Sequence, residues 1–316
     1  MSAGAPAPVL FGKLPDRADF VRKGGGSPAL DALDTITQRA LWPSLDAPDG
    51  PLCRFVYHPP GGPHGLAGAL RLSRDRVGRA YPLIAARPFE RGGLDPAQAP
   101  TWPVRWSPVF DAAAWVVREA VSGRASFDVV AADAMRLPDV DLSPLASPGV
   151  ARHVAAADRL PASDWFGRFP GGPRRGLAML AYLTHLLRKG PLPTFCLRLP
   201  LPPATDDFGR DDAAAVWLAA AAHVMRARAP WPSLFWSDDV PGHAGTLHVF
   251  YGSVSSHAFR FVLQGAPDPA TILGIDEAPP ASALPTLRAA LPAFERQLAD
   301  PRLSVADVLA RLPAVA

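Results

Sequence analysis

Proline constrains this chain more than any other feature. There are 38 prolines among 316 residues, roughly 12% against an average near 5%. Each fixes φ and removes a backbone donor, so long helices and central strands must fit between them. With 26 glycines added, the combined share is roughly 20%, below the roughly 25–30% at which low complexity becomes the default. Apolar residues make up 48% and charged residues 19%, enough apolar material for a core, which excludes a disordered chain. The expectation is a folded protein of one large or two modest domains with long, proline-punctuated connections.

Two cysteines, Cys53 and Cys196, make neither a disulfide framework nor a zinc site by themselves, and they fit a reducing, cytoplasmic compartment. The N-terminal segment lacks the basic region and apolar run of a signal peptide. The longest uncharged apolar run, Ala213 to Met225, is too short to span a bilayer and includes His223, so no membrane insertion is expected. Thirty-two basic residues face 29 acidic ones, with no basic run or RNA-binding motif, so nucleic acid is not an expected partner.

Periodicity predicts the elements. Pro8 to Leu14 reads as extended. Ser27 and Pro28 read as the N-cap and first position of a helix with an apolar stripe at Leu30, Leu33, Ile36 and Leu41, and with Thr37 off that stripe. Leu52–Tyr57, Leu66–Leu72 and Tyr81–Ala86 read as strands, the last two joined by a turn at Gly78, with Pro82 at an edge or strand start. Asp111 can cap a helix through Ser122. Residues 124–173 are the least readable. Arg174–Lys189 reads as a helix ended by Gly190-Pro191, Phe195–Leu199 as a strand, and Asp211 or Asp212 to about Arg228 as an alanine-rich helix. Ser233–Trp236, Thr246–Tyr251 and Ala258–Leu263 read as a half-buried antiparallel meander. Residues 266–283 read as a surface connection, followed by helices at Leu284–Leu298, kinked or cut short by Pro292, and at Ser304–Leu312. Strands early and late with helices between favour an α+β fold with a mainly antiparallel sheet. The early and late strands are expected to share it.

Most chemistry can be set aside. Gly24–Gly26 lacks the order of a phosphate loop. His58 and His64 flank a Pro/Gly loop without further metal ligands, and they read as solvated, as do His243, His248 and His257. The pairs Asp206-Asp207, Asp211-Asp212 and Asp238-Asp239 read mostly as loop and capping residues. No nucleophile elbow is present, and nothing activates a Cys53–His58 dyad. No cofactor is expected. The segment Arg74-Asp75-Arg76-Val77-Gly78-Arg79 stands out. It reads either as an ion-pair lock that holds the turn, anchored by Val77 and Tyr81, or as an exposed basic patch for an acidic or phosphorylated surface.

Several segments together resemble the TagF family, also called ImpM, accessory proteins of type VI secretion. Phe11–Gly24 (FGKLPDRADFVRKG) resembles the family's N-terminal signature, with Ala18 where glycine is usual. Cys53–Ala86 resembles its second block, with Cys53 in place of tryptophan and Tyr81 in place of phenylalanine. The string Asp75 to Leu83 (DRVGRAYPL) is the most specific part. Ser233–Trp236 is similar to a late strand of the family, and His257–Leu263 to its final short strand and helix. The likeness covers roughly residues 8–123 strongly and 231–265 weakly.

The resemblance implies a TagF-like α+β domain over 1–265 with a long insertion at about 124–230, then a proline-rich linker and helical extension over 266–316. It implies a cytoplasmic, non-enzymatic, post-translational negative regulator of type VI secretion whose partner is an FHA-domain scaffold protein. A structural baseplate or effector-adaptor component, or a hydrolase built on Cys53 or a histidine cluster, are the alternatives. The candidate partner-binding residues are Gly12, Lys13, Pro15, Asp19, Phe20 and Arg22 in the first segment, Asp75, Arg76, Gly78, Arg79, Tyr81 and Pro82 in the second, and Trp236.

Overall fold

The computed structural model describes residues 6–41, 50–143, 160–189, 196–204, 209–225, 231–237, 245–265, 272–277, 292–293, 295–298, 300–305 and 307–308. Strands β1 (Val9–Gly12), β2 (Val21–Gly24), β3 (Cys53–Tyr57), β4 (His64–Arg74), β5 (Ala80–Glu90), β6 (Cys196–Leu201), β7 (Pro232–Ser237), β8 (Gly245–Tyr251) and β9 (Ile272–Gly274) form one sheet in the order β2-β1-β5-β4-β3-β7-β8-β6-β9. All pairings are antiparallel except β6 with β9. The early and late strands do share a sheet, joined where β3 pairs with β7, Phe55 opposite Phe235. The fold is α+β.

Side chains alternate along each strand, so both faces need cover. One face carries Phe11, Phe55, Tyr57, Phe235 and Phe250 and is closed by α1 (Pro28–Ala40) and α8 (Ser256–Gln264). The opposite face is closed over β1 and β5 by α3 (Ser107–Val121) and α4 (Phe127–Ala134), through Leu10, Leu83, Val117 and Val130. Farther along, Val56, Trp236, Leu247 and Val249 meet α2 (Trp102–Arg105), α5 (Ala162–Gly167), α6 (Gly172–Lys189) and α7 (Arg210–Met225).

Several expectations change. The strands β4 and β5 are 11 residues each, longer than the apolar runs, because backbone pairing continues through Ser73, Arg74 and Pro88. Pro82 and Pro88 lie just outside the stretch Ile84–Ala86 that pairs with β1, where a missing donor is tolerated. The helix read from Asp111 begins at Ser107. Thr37, read as off the stripe, is fully buried and donates its hydroxyl to the Leu33 carbonyl at 2.7 Å.

Ala258–Leu263 is helical rather than the third strand of a meander. Ser255 caps it by accepting from the Ala258 N–H at 3.1 Å, and Gly265 ends it in the left-handed region. The remaining β7–β8 pair is buried on both faces, not half-buried.

Two of the five histidines read as solvated, His58 and His248, are buried instead, 2% and 4% exposed. Burial, assisted by the nearby charges of Arg91 and Arg198 respectively, lowers each imidazole to about 3. His58 sits among Phe89, Trp102 and Trp231, ring centroids 5.2–5.4 Å away. His64 is half-buried and His257 exposed, and among the described residues no group of three His, Cys, Asp or Glu side chains converges as a metal site.

Within the stretch read as a surface connection, Ile272–Gly274 adds a parallel strand to β6, and Asp276 pairs with Arg198 at 3.0 Å. Of the helix read over 284–298, only Pro292, Ala293 and 295–298 are described. They are helical, and Leu298 is buried in the same core as Leu303, Val305 and Val308. The Gly190-Pro191 stop, His243, Asp206-Asp207, Asp238-Asp239, Leu284, Leu287, Leu291 and Phe294 lie outside the described residues.

Candidate partner-binding ledge

The residues of the two sequence segments meet at one end of β1, β4 and β5. Asp75 closes the β4–β5 turn. Its Oδ1 accepts the backbone N–H groups of Val77 at 3.1 Å and Arg79 at 2.8 Å. Its Oδ2 accepts Arg79 Nε at 2.7 Å and Lys13 Nζ at 2.9 Å. Four donors thus fill the four lone-pair positions of a carboxylate whose side chain is fully buried. Burial by itself pushes this carboxyl up. The hydrogen bonds from Lys13 and Arg79, with the Lys13 charge, outweigh it and hold Asp75 well below the usual carboxylate range.

Of the two readings of the arginine segment, the structure bears on the ion-pair lock. The lock exists, but its second cation is Lys13 rather than Arg76. A lysine set in the apolar run VLFGKLP was the available signal, because such a lysine stays buried only beside a carboxylate. Arg74 donates to the Gly78 carbonyl at 3.1 Å. Gly78 has φ +87°, the positive value expected of so tight a return. Val77 does not anchor the turn; it is 64% exposed. Tyr81 does, with its ring buried and its hydroxyl donated to Asp34. Burial, then the Asp34 hydrogen bond and charge, pushes that phenol up.

The loop between β1 and β2 is strapped onto this turn. Arg76 N–H donates to the Arg17 carbonyl at 2.8 Å, and Arg79 donates to the Ala18 carbonyl. Phe20 stacks on Phe11 at 5.7 Å, meets Tyr81 edge-on at 4.7 Å, lies under Lys13 Nζ at 5.1 Å, and remains 49% exposed. Pro15, Asp19 and Arg76 are exposed. Arg22 reaches Asp31 at 3.6 Å. Gly12 ends β1 at φ +136° with its backbone against Pro82 of β5.

Twelve of the thirteen sequence candidates therefore sit on or directly beneath one ledge. Trp236 does not join them. It is fully buried on β7, edge-on to Phe110, and donates its indole N–H to Asp211 at 2.9 Å. Its strand neighbours are β3 and β8, and it faces away from the layer that holds Phe11 and Tyr81.

Residues 9–137 match the family model of the TagF N-terminal domain, described as type VI secretion system-associated. This chain carries a TagF N-terminal domain. The match takes in the whole ledge, together with α3 and α4. No curated protein matches the chain. Among solved structures, the crystal structure of PA0076 from Pseudomonas aeruginosa PAO1 is similar with a TM-score of 0.44 and 17% identity, over 83% of this chain and 96% of that one. The TagF domain contributes β1–β5 to the sheet, and its β3 edge is continued by β7. Among the described residues no helix is long and apolar enough to cross a membrane.

Proposed function

We propose that this TagF-domain protein is a non-enzymatic accessory factor of type VI secretion, a post-translational negative regulator that acts by binding an FHA-domain scaffold protein of the same system. The match of residues 9–137 to a secretion-associated domain carries the reading. The ledge supports it: Lys13, Asp75 and Arg79 are spent on holding two loops in place, which suits a rigid contact surface better than acid–base chemistry. The direct test is deletion of the gene in its host with secreted substrate measured in the medium. A repressor predicts increased secretion and co-purification of the FHA-domain protein with the tagged chain. Abolished secretion would point to a structural component of the apparatus and end the regulatory reading.

A further inference from the structure

We infer that the ledge is a docking surface for an acidic protein segment, with Val77 and Phe20 as the apolar seat and Arg76 as the leading cation. The inference rests on the partner-binding reading above and names the chemistry of that partner.

Charge is the first argument. Residues 13–23 and 74–79 hold seven basic and three acidic residues, an excess of four, while the whole chain carries only +3. The positive balance of the protein is therefore concentrated here. Exposure is the second. Among the described residues five large hydrophobic side chains are exposed, and two of them, Phe20 and Val77, are on these two loops. Preorganisation is the third. The backbone of Arg76 is tied to Arg17, and Asp75 is tied to Lys13 and Arg79, yet the Arg76 side chain is exposed and has no ion pair among the described residues. A fixed Cα with an unengaged guanidinium loses little freedom on binding.

The arrangement selects carboxylates over a phosphate group. A phosphate takes several converging donors. Here the Arg79 guanidinium is committed to Asp75 and the Ala18 carbonyl, and Asp16 and Asp19 interrupt the cations. Cations dispersed around two apolar side chains fit an extended segment that presents Asp or Glu on either side of an apolar residue.

The test uses the full chain and two probes. The first is the purified FHA-domain scaffold protein of the same secretion system, titrated at 50 and 300 mM NaCl. The second is a fluorescein-labelled peptide of pattern Glu-Glu-Leu-Phe-Asp-Glu, compared by polarisation with its Gln/Asn counterpart. Arg76→Glu and Val77→Asp should each weaken binding at least tenfold at low salt, and less at high salt, with melting temperatures unchanged. Trp115→Ala, an exposed aromatic on α3 outside the ledge, should bind as wild type. If the acidic peptide binds no better than its amide counterpart, or if Arg76→Glu and Val77→Asp bind it as wild type does, the surface is not what we infer. Peptide binding without scaffold binding would retain the acidic-segment site and remove only the FHA-domain partner.

Discussion

At the scale of single residues, the ledge depends on two glycines with different constraints. Gly78 has φ +87° and nothing within 4 Å of an added Cβ. Gly78→Ala should therefore meet backbone strain alone, about 1–2 kcal/mol in urea unfolding. Gly12 has φ +136°, and its Cβ would overlap the Pro82 carbonyl oxygen. Gly12→Ala should cost about 3 kcal/mol or more, because the backbone of β5 has to shift. Equal losses would mean that the close approach of β1 to β5 is unimportant. Asp75 gives a pH-dependent prediction. Its folded-state pKa is depressed, so its contribution is present above the unfolded value of about 3.9 and is lost as pH falls below it. Asp75→Asn should destabilise by about 3–5 kcal/mol at neutral pH, since Lys13 is left buried without its partner. The gap between wild type and variant in denaturant titrations should narrow below about pH 4. The turn and its positive φ were legible from Gly78 and the surrounding charges. The identity of the second cation was not, because Lys13 and Asp75 are 62 positions apart and no local pattern encodes their meeting.

Among the elements, helix caps separate what sequence suggests from what the fold uses. Ser27 and Ser255 both occupy N-cap positions with extended backbone. Only Ser255 bonds the first turn; the Ser27 hydroxyl is buried with no partner among the described residues. Ser255→Ala should cost about 1 kcal/mol. Ser27→Ala should be close to neutral or mildly stabilising, since it removes a buried hydroxyl that bonds nothing. Thermal melts of the two variants decide this, and a larger loss at Ser27 would contradict the assignment. Helix α8 also shows why Ala258–Leu263 misled. Its apolar residues satisfy a short alternation and also the 258, 259, 262, 263 face that is buried. Six residues cannot distinguish the two periods, and packing against α1 decides for the helix.

For the whole molecule, the C-terminal stretch completes the structure begun by the TagF domain. β9 extends the sheet, and Ile275, Leu298, Leu303, Val305 and Val308 are buried in the core formed with α5–α7. At about 1.5–3 kcal/mol per fully buried apolar side chain, their removal is comparable with the roughly 5–15 kcal/mol that a domain has in total. Truncation after Gly265 should abolish cooperative unfolding in circular-dichroism melts. An unchanged transition would show that the tail is dispensable. Acid should act on the molecule as a whole too. His58 and His248 are held neutral, each lowered to about 3, so the unfolded chain binds more protons between there and about 6.5. Stability should rise with pH through that window by up to about 1.4 kcal/mol per unit for each histidine, and His58→Phe should flatten the slope.

The α+β class, most of the strands, the helix read over Arg174–Lys189 and the arginine turn follow from residue order alone. Their signals are local: period, caps, proline spacing and a glycine in a charged turn. The pairing of β3 with β7, the burial of His58 and His248, the place of Trp236 away from the ledge and the Lys13–Asp75 contact were decided only in three dimensions. Each depends on which distant surfaces come together. A strand carries a pattern for one face and its neighbours in sequence, but no record of which strand will lie beside it or which layer will cover it.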